Sequence, residues 1–157
     1  MKILIVSDSH GNKEILLGAI EKEKPDKIFF LGDYISDILD IKDLIPSDIC
    51  AVKGNTDRGS NGPEDMILNI NNLKMFLTHG HKYNVSYNMH KLYLKAQENS
   101  VNYVFFGHTH IYDDFIKNGI RFINPGSISK PRGQEFGTYV IANIKDSEIN
   151  FIKKVLT

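Results

Sequence analysis

Apolar residues fall in short runs broken by polar loops, and the loops hold most of the histidines. Residues 2–7 form an apolar run without alternation, the pattern of a strand buried on both faces. It stops at Asp8-Ser9-His10-Gly11-Asn12, where Asn12 can cap a helix with the apolar stripe Ile15, Leu16, Ala19 and Ile20, closed by Lys22, Lys24 and Pro25. The unit recurs as a strand at 27–31, the loop Gly32-Asp33, a helical stretch over about 37–44, the breaker Pro46 and a strand at 48–53. Successive strands joined by helical crossovers predict parallel pairing.

Beyond a polar, glycine-rich stretch at 54–63 the pattern changes. Runs at 65–70 and 74–78 flank Asn71-Asn72 and predict a tight hairpin. Met89, Leu92, Tyr93 and Ala96 keep helical spacing, which predicts a helix over about 86–98 before a strand at 102–106. Runs at 113–116, 120–123, 138–144 and 148–155, with turns at Asn118-Gly119 and Asp146-Ser147, make the last third mostly β. The class is α/β passing into mixed sheet. Each polar cluster of interest follows a strand, where open α/β sheets place their ligands.

A length of 157 residues predicts a single domain over 1–157. Lys plus Arg and Asp plus Glu are both 19, so the net charge is zero and a broad footprint for long nucleic acid or an acidic membrane is missing. The single Cys50 excludes an intramolecular disulfide and reads as a small buried residue of a reducing compartment. The apolar run 3–6 is too short for a signal-peptide core, and no run approaches the roughly 18 residues of a membrane span. The expectation is a cytoplasmic protein without a membrane or long nucleic-acid partner, its oligomeric state open and a homodimer allowed.

Five of the 6 histidines, His10, His79, His81, His108 and His110, sit in polar loops, with Asp8, Asp33 and Asn55 at other strand ends. A shuffled chain of this composition would contain Asp-x-His about 0.5 times and Gly-His-x-His about 0.02 times, so the second motif carries the information and the ordered set carries more. Imidazoles, carboxylates and an amide oxygen, with no thiolate, suit a borderline or moderately hard divalent ion. Seven donors exceed what one ion needs. Two ions sharing one carboxylate would stabilise both the attacking and the leaving oxygen of an in-line displacement. Two carboxylates leave such a centre cationic, and it would attract a phosphate ester.

The order Asp8-x-His10, Gly32-Asp33, Gly54-Asn55, His79 and Gly107-His108-x-His110 resembles the binuclear, calcineurin-like metallophosphoesterase superfamily. Thr78-His79-Gly80-His81, Asn124-Pro125-Gly126-Ser127 and Pro131-Arg132 are similar to its compact YfcE-type phosphodiesterases. The resemblance implies a four-layer αββα sandwich of two mixed sheets. It implies Asp8, His10, Asp33 and His110 as ligands of one ion, and Asp33, Asn55, His79 and His108 as ligands of the other. The ions expected are two divalent metals, manganese first, with nickel, iron, cobalt or zinc as alternatives. The activity implied is phosphodiester hydrolysis by attack of a metal-bridging hydroxide on phosphorus, with a small phosphate ester as substrate.

One position departs from that pattern. Much of the superfamily has His after the Gly-Asn pair, whereas this chain reads Gly54-Asn55-Thr56-Asp57, so the acidic partner is present without its imidazole. Asn55, Asp57 and His81 are therefore the catalytic candidates beside the metals, His81 as a replacement acid or as a solvated neighbour. Asp37 reads as a charge at a helix N-terminus, and Arg58, Lys82 and Arg132 as phosphate contacts or ordinary surface charge. The rival readings are an inactive protein-binding scaffold on the same fold, as in the small retromer subunit, and a phosphomonoesterase or nucleotide hydrolase.

Overall fold

The computed structural model describes all 157 residues. Strand β1 (Lys2–Val6) leads to helix α1 (Lys13–Glu23), β2 (Lys27–Phe30), the short α2 (Ile35–Leu39) and β3 (Asp48–Ala51). The hairpin β4 (Asp65–Ile70) and β5 (Leu73–Thr78) follows, then α3 (His90–Glu98) and β6 (Tyr103–Phe105). Four more strands complete the chain: β7 (Tyr112–Lys117), β8 (Ile120–Pro125), β9 (Thr138–Lys145) and β10 (Glu148–Val155).

They form two five-stranded mixed sheets, ordered β10-β9-β1-β2-β3 and β4-β5-β6-β8-β7. As expected, β1, β2 and β3 run parallel, and β5, β6 and β8 form the parallel centre of the second sheet. The antiparallel strands β9 and β10 return to cover the β1 edge. Between the sheets, Ile3, Ile5, Phe29, Leu31 and Val52 pack against Met75, Leu77, Phe105 and Ile123. The alternate residues Leu4, Val6, Ile28 and Phe30 lie under α1 and α2, meeting Leu16, Ala19, Ile20, Ile35 and Ile38. Phe76, Val104 and Phe122 do the same beneath Leu92, Tyr93 and Ala96 of α3. With both faces of each central strand covered, apolar runs cannot alternate with polar residues, which is why β1 and β2 read as continuous. The layers are αββα.

Two helices differ from their predicted extents. The stretch expected over 37–44 splits into α2 and a separate 3-10 turn at Lys42–Leu44, with Tyr34 at φ 64° starting α2 two residues early. Helix α3 begins at His90 rather than near 86, because a turn over 84–87 precedes it and exposes Tyr87. The apolar spacing starts at Met89, and Ser86, Tyr87 and Asn88 before it carry no part of that period. Cys50, expected to be buried, is half-buried on β3, where desolvation pushes its thiol up from the ordinary value.

A buried polar contact ties α1 to β9: the Tyr139 hydroxyl donates to Glu23 Oε1 at 2.9 Å. Burial, then this bond, push the phenol well above its ordinary range. Removing the hydroxyl leaves a carboxylate oxygen without its donor, a loss of about 1–3 kcal/mol. Tyr139→Phe is expected to lower the thermal midpoint by several degrees, at roughly 2–4 °C per kcal/mol for a chain of this size. An unchanged midpoint in a calorimetric scan would show that Glu23 is satisfied otherwise.

Candidate metal centre

The polar loops that follow β1, β2, β3, β5 and β6 meet along one edge of the sandwich. Asp8 and His10 follow β1, Asp33 follows β2, Asn55 follows β3, His79 follows β5, and His108 and His110 follow β6. All seven expected ligand positions come together in two halves.

In the first half, His10 Nε2 lies 3.1 Å from His110 Nε2, 3.9 Å from Asp8 Oδ1 and 3.7 Å from Asp33 Oδ2. His110 Nε2 stands 3.2 Å from Asp8 Oδ1. Donor atoms of Asp8, His10, Asp33 and His110 all fall within 4.8 Å of one another. In the second half, His79 Nε2 is 3.1 Å from Asn55 Oδ1, 3.4 Å from Asp33 Oδ1 and 3.3 Å from His108 Nδ1. Asp33 turns one oxygen to each half, the disposition of a shared carboxylate.

The donor chemistry of this cluster fits a cation. His79 Nδ1 sits 2.7 Å from the Leu31 carbonyl and His110 Nδ1 2.7 Å from the Lys130 carbonyl. A carbonyl cannot donate, so each Nδ1 carries the proton, and in the neutral ring Nε2 presents a lone pair to the cluster. Those lone pairs face carboxylate oxygens, an amide oxygen and further imidazoles, an assembly with many acceptors and few donors. Asp8 Oδ1 is buried at its centre without a hydrogen-bond partner. Burial pushes the Asp8 carboxyl up, yet His110, His79 and Ser7 together hold it below its ordinary value, so it stays anionic. Desolvation lowers His10 and His108, which keeps their rings neutral and able to ligate. His110 is raised, chiefly by its contact with Asp8.

Backbone geometry explains why these loops look as they do in sequence. Five of the seven residues have positive φ: Asp8 57°, His10 46°, Asp33 57°, His108 71° and His110 62°. Left-handed backbone costs a residue other than glycine of order 1–3 kcal/mol and clusters at functional sites. The glycines before Asp33, Asn55 and His108 answer close approach, to which Gly32 adds a left-handed backbone of its own at φ 94°. A Cβ on Gly32 would stand 2.7 Å from the Gly54 nitrogen and 2.9 Å from His79 Nδ1, and one on Gly107 would strike Ser7 Oγ.

Several polar residues behind the cluster hold it in place. Asp37, expected to be a helix-terminal charge, is buried and accepts from Ser9 Oγ at 2.6 Å and Gly11 N at 2.8 Å, fixing the Asp8–Gly11 loop. Ser127 Oγ donates to the Asp8 carbonyl at 2.7 Å, and Ser129 Oγ to the Ser9 carbonyl at 2.7 Å. Asn124 donates to the Gly107 carbonyl at 2.9 Å. The segment around Asn124-Pro125-Gly126-Ser127 thus braces both the Asp8 and the His108 loops through its side chains. The bracing role of Asp37, Ser127 and Ser129 escapes a reading of the sequence because each is an ordinary polar residue whose partner is far away along the chain.

The catalytic candidates divide. Asn55 is exposed beside His79. Asp57 is buried, with Oδ1 accepting from Ile35 N at 2.9 Å and Oδ2 from Gly54 N at 2.8 Å. Both its oxygens face backbone, so it fastens the Asn55 loop to α2 rather than facing the cluster. His81 is half-buried, its ring 5.4 Å from that of His79 and 6.2 Å from that of His108, and burial lowers its pKa. Thr56, in place of the missing imidazole, is exposed and donates its N–H to Asp33 Oδ1 at 3.1 Å. Lys82 is paired with Glu64 at 2.6 Å, and His90 is exposed. Beside Thr109, a cavity of about 420 Å³ is lined by Tyr87, Met89, Phe106, Ile111 and Arg132 among others. The largest cavity, about 620 Å³, lies at the far end of the first sheet between Lys24 and Asp48 and includes none of the cluster residues.

Comparison with known proteins gives a consistent result. The calcineurin-like phosphoesterase superfamily domain matches residues 1–147. The protein named probable metallophosphoesterase YsnB of Bacillus subtilis is 30% identical over 148 residues, covering 93% of this chain and 86% of its own. A probable metallophosphoesterase of Methanocaldococcus jannaschii is 39% identical over 140 residues, covering 84% and 70%. The crystal structure of a predicted phosphoesterase from Streptococcus pneumoniae superposes with TM-score 0.80 at 29% identity, covering 99% of this chain and 96% of that one. Vps29 of Entamoeba histolytica in complex with zinc shares the fold, with TM-score 0.82 at 22% identity over 99% of this chain and 92% of that one.

Proposed function

Because the chain belongs to the calcineurin-like phosphoesterase superfamily, whose members use divalent metals on phosphate esters, we propose that it is a binuclear phosphodiesterase. The observation that carries this reading is the convergence of acceptor atoms around the buried, partnerless Asp8 Oδ1. Asp8, His10, Asp33 and His110 would hold one ion; Asp33, Asn55, His79 and His108 would hold the second. When bound, the ions supply Lewis-acid stabilisation of charge and a hydroxide nucleophile at neutral pH.

The remaining steps fall to the chain's own side chains. Asn55 points Oδ1 at His79, which leaves its amide N–H groups to donate to a phosphate oxygen. His81 shares one cleft with Asn55 and would take the role left empty at Thr56, passing a proton to the leaving oxygen. Asp57 acts as a positioning residue, holding Gly54 and with it Asn55. The cavity beside Thr109 receives the organic part of the ester, Tyr87 and Phe106 supplying flat apolar surface and Arg132 a charge.

The test is hydrolysis of bis(p-nitrophenyl) phosphate by metal-stripped protein refilled with Mn²⁺. Activity is expected, and it should fall as the leaving group becomes more basic, since an imperfectly placed acid forfeits part of the roughly 10²- to 10⁴-fold of general acid catalysis. Metal uptake without hydrolysis of any aryl diester would overturn the reading in favour of a protein-binding role. A rate independent of leaving-group basicity would assign the acid elsewhere than proposed.

A further inference from the structure

We propose that the substrate carries a second phosphoryl group, taken up by a small polar cavity beside Asn55 that holds two unpaired cations; the inference rests on the phosphodiesterase reading. The cavity, about 180 Å³, is lined by Lys53, Gly54, Asn55, Asp57, Arg58, Glu64 and His81, none of them hydrophobic. That volume is well below the roughly 300–1,000 Å³ of sites that enclose a whole ligand. It is many times the roughly 10–15 Å³ that one water requires. One compact polar group of a larger molecule suits it.

The charges on its wall say which group. Both acids are already engaged: Asp57 accepts two backbone N–H groups, and Glu64 is paired with Lys82 at 2.6 Å. Neither cation is. Lys53 and Arg58 make no ion pair, although the cavity walls contain two carboxylates. His81 adds a ring whose Nδ1 is buried without a partner. Two free cations and an unmatched imidazole in a site lined by no hydrophobic residue call for an anion with several oxygens, and a guanidinium matches phosphate geometry in particular. Asn55 joins the cavity to the metal cluster through His79 at 3.1 Å, so the anion belongs to the molecule whose other phosphate is cleaved there. A second phosphoryl a few bonds from the scissile diester, as in a nucleoside 3′-phosphate whose 5′-phosphate is esterified to the leaving group, meets all of these conditions.

The test compares thymidine 5′-(p-nitrophenyl phosphate) with the same ester bearing a 3′-phosphate, using Mn²⁺-loaded protein. Calorimetric titration with thymidine 5′-monophosphate and thymidine 3′,5′-bisphosphate gives a readout independent of turnover. In the wild type the extra phosphate is expected to lower KM and Kd by about tenfold or more, the effect of one or two charge-assisted hydrogen bonds. Lys53→Met with Arg58→Gln should remove most of that ratio, and each single change part of it. An equal affinity for the paired ligands in the wild type would overturn the proposal. So would a preference that survives in the double variant, because it would then come from general attraction to the metals. Hydrolysis of neither ester would sink the phosphodiesterase reading, and the titration ratio would still decide the subsite.

Discussion

Asp33→Asn is expected to produce the largest functional loss of any single substitution. The change keeps the size of the side chain and one oxygen, so the 3.1 Å bond from the Thr56 N–H can persist and folding should be spared. It replaces the other oxygen by an NH₂ group, which has no lone pair for a metal, and it removes one of the two carboxylates facing the cluster. His10 at 3.7 Å and His79 at 3.4 Å then lose the anion they share. Substituting residues that merely support metal ligands costs 10- to 100-fold in affinity or activity, so losing a shared ligand should cost more than about 100-fold. Mass-spectrometric metal analysis should show bound Mn²⁺ reduced by about half or more, and diester hydrolysis should fall in parallel. Full metal content with full activity would remove Asp33 from the bridging role.

Gly54→Ala should cost both stability and metal. The added Cβ would lie 2.5 Å from the Asp33 backbone nitrogen and press directly on Asp33 Oδ1, while the Asp57 carboxylate holds Gly54 N from the other side. Backbone cannot yield as a flexible side chain would, and overpacking of this kind costs about 1–3 kcal/mol, occasionally more. A midpoint lower by several degrees is expected, with Mn²⁺ affinity reduced through the displaced Asp33 and Asn55. Gly18→Ala is the matched control: it lies in α1 with nothing within 4 Å of its would-be Cβ. That change should stabilise by about 0.5–1 kcal/mol, the ordinary helix preference for alanine over glycine. If the two substitutions shift the midpoint alike, the steric account of the Gly-Asn pair fails.

The strands were legible because covering both sheet faces writes an unbroken apolar run, as at Ile3 to Val6 and Ile28 to Phe30. Assignment of the strands to two sheets was not legible from periodicity, since Ile5 facing Leu77 and Leu4 facing α1 look the same in sequence; it came from the family resemblance. Helix ends are blurred where the residues give no apolar period, at 86–88 and again after α2. In the site, the order of Asp, His and Asn at strand ends was visible because donors to a metal must be a few residue types. Its supports were not, because Asp37 to Ser9 spans 28 residues and Ser127 to Asp8 spans 119. Asp57 shows the same limit from the other side: a carboxylate next to a motif looks catalytic in sequence, and its two backbone amide partners make it a fastener.

The left-handed backbone at Asp8, His10, Asp33, His108 and His110 bears on attempts to engineer the metal preference. Aspartate, asparagine and histidine are the non-glycine residues most at ease with positive φ, and they are also oxygen and nitrogen donors. Loop shape and coordination chemistry therefore select the same short list. Introducing a thiolate or a longer carboxylate to favour another ion would place a residue without that tolerance on the most constrained stretch of chain. In this scaffold, metal selectivity should be more readily tuned from Asn55 and His79, the two proposed ligand positions whose backbone is free of that restriction.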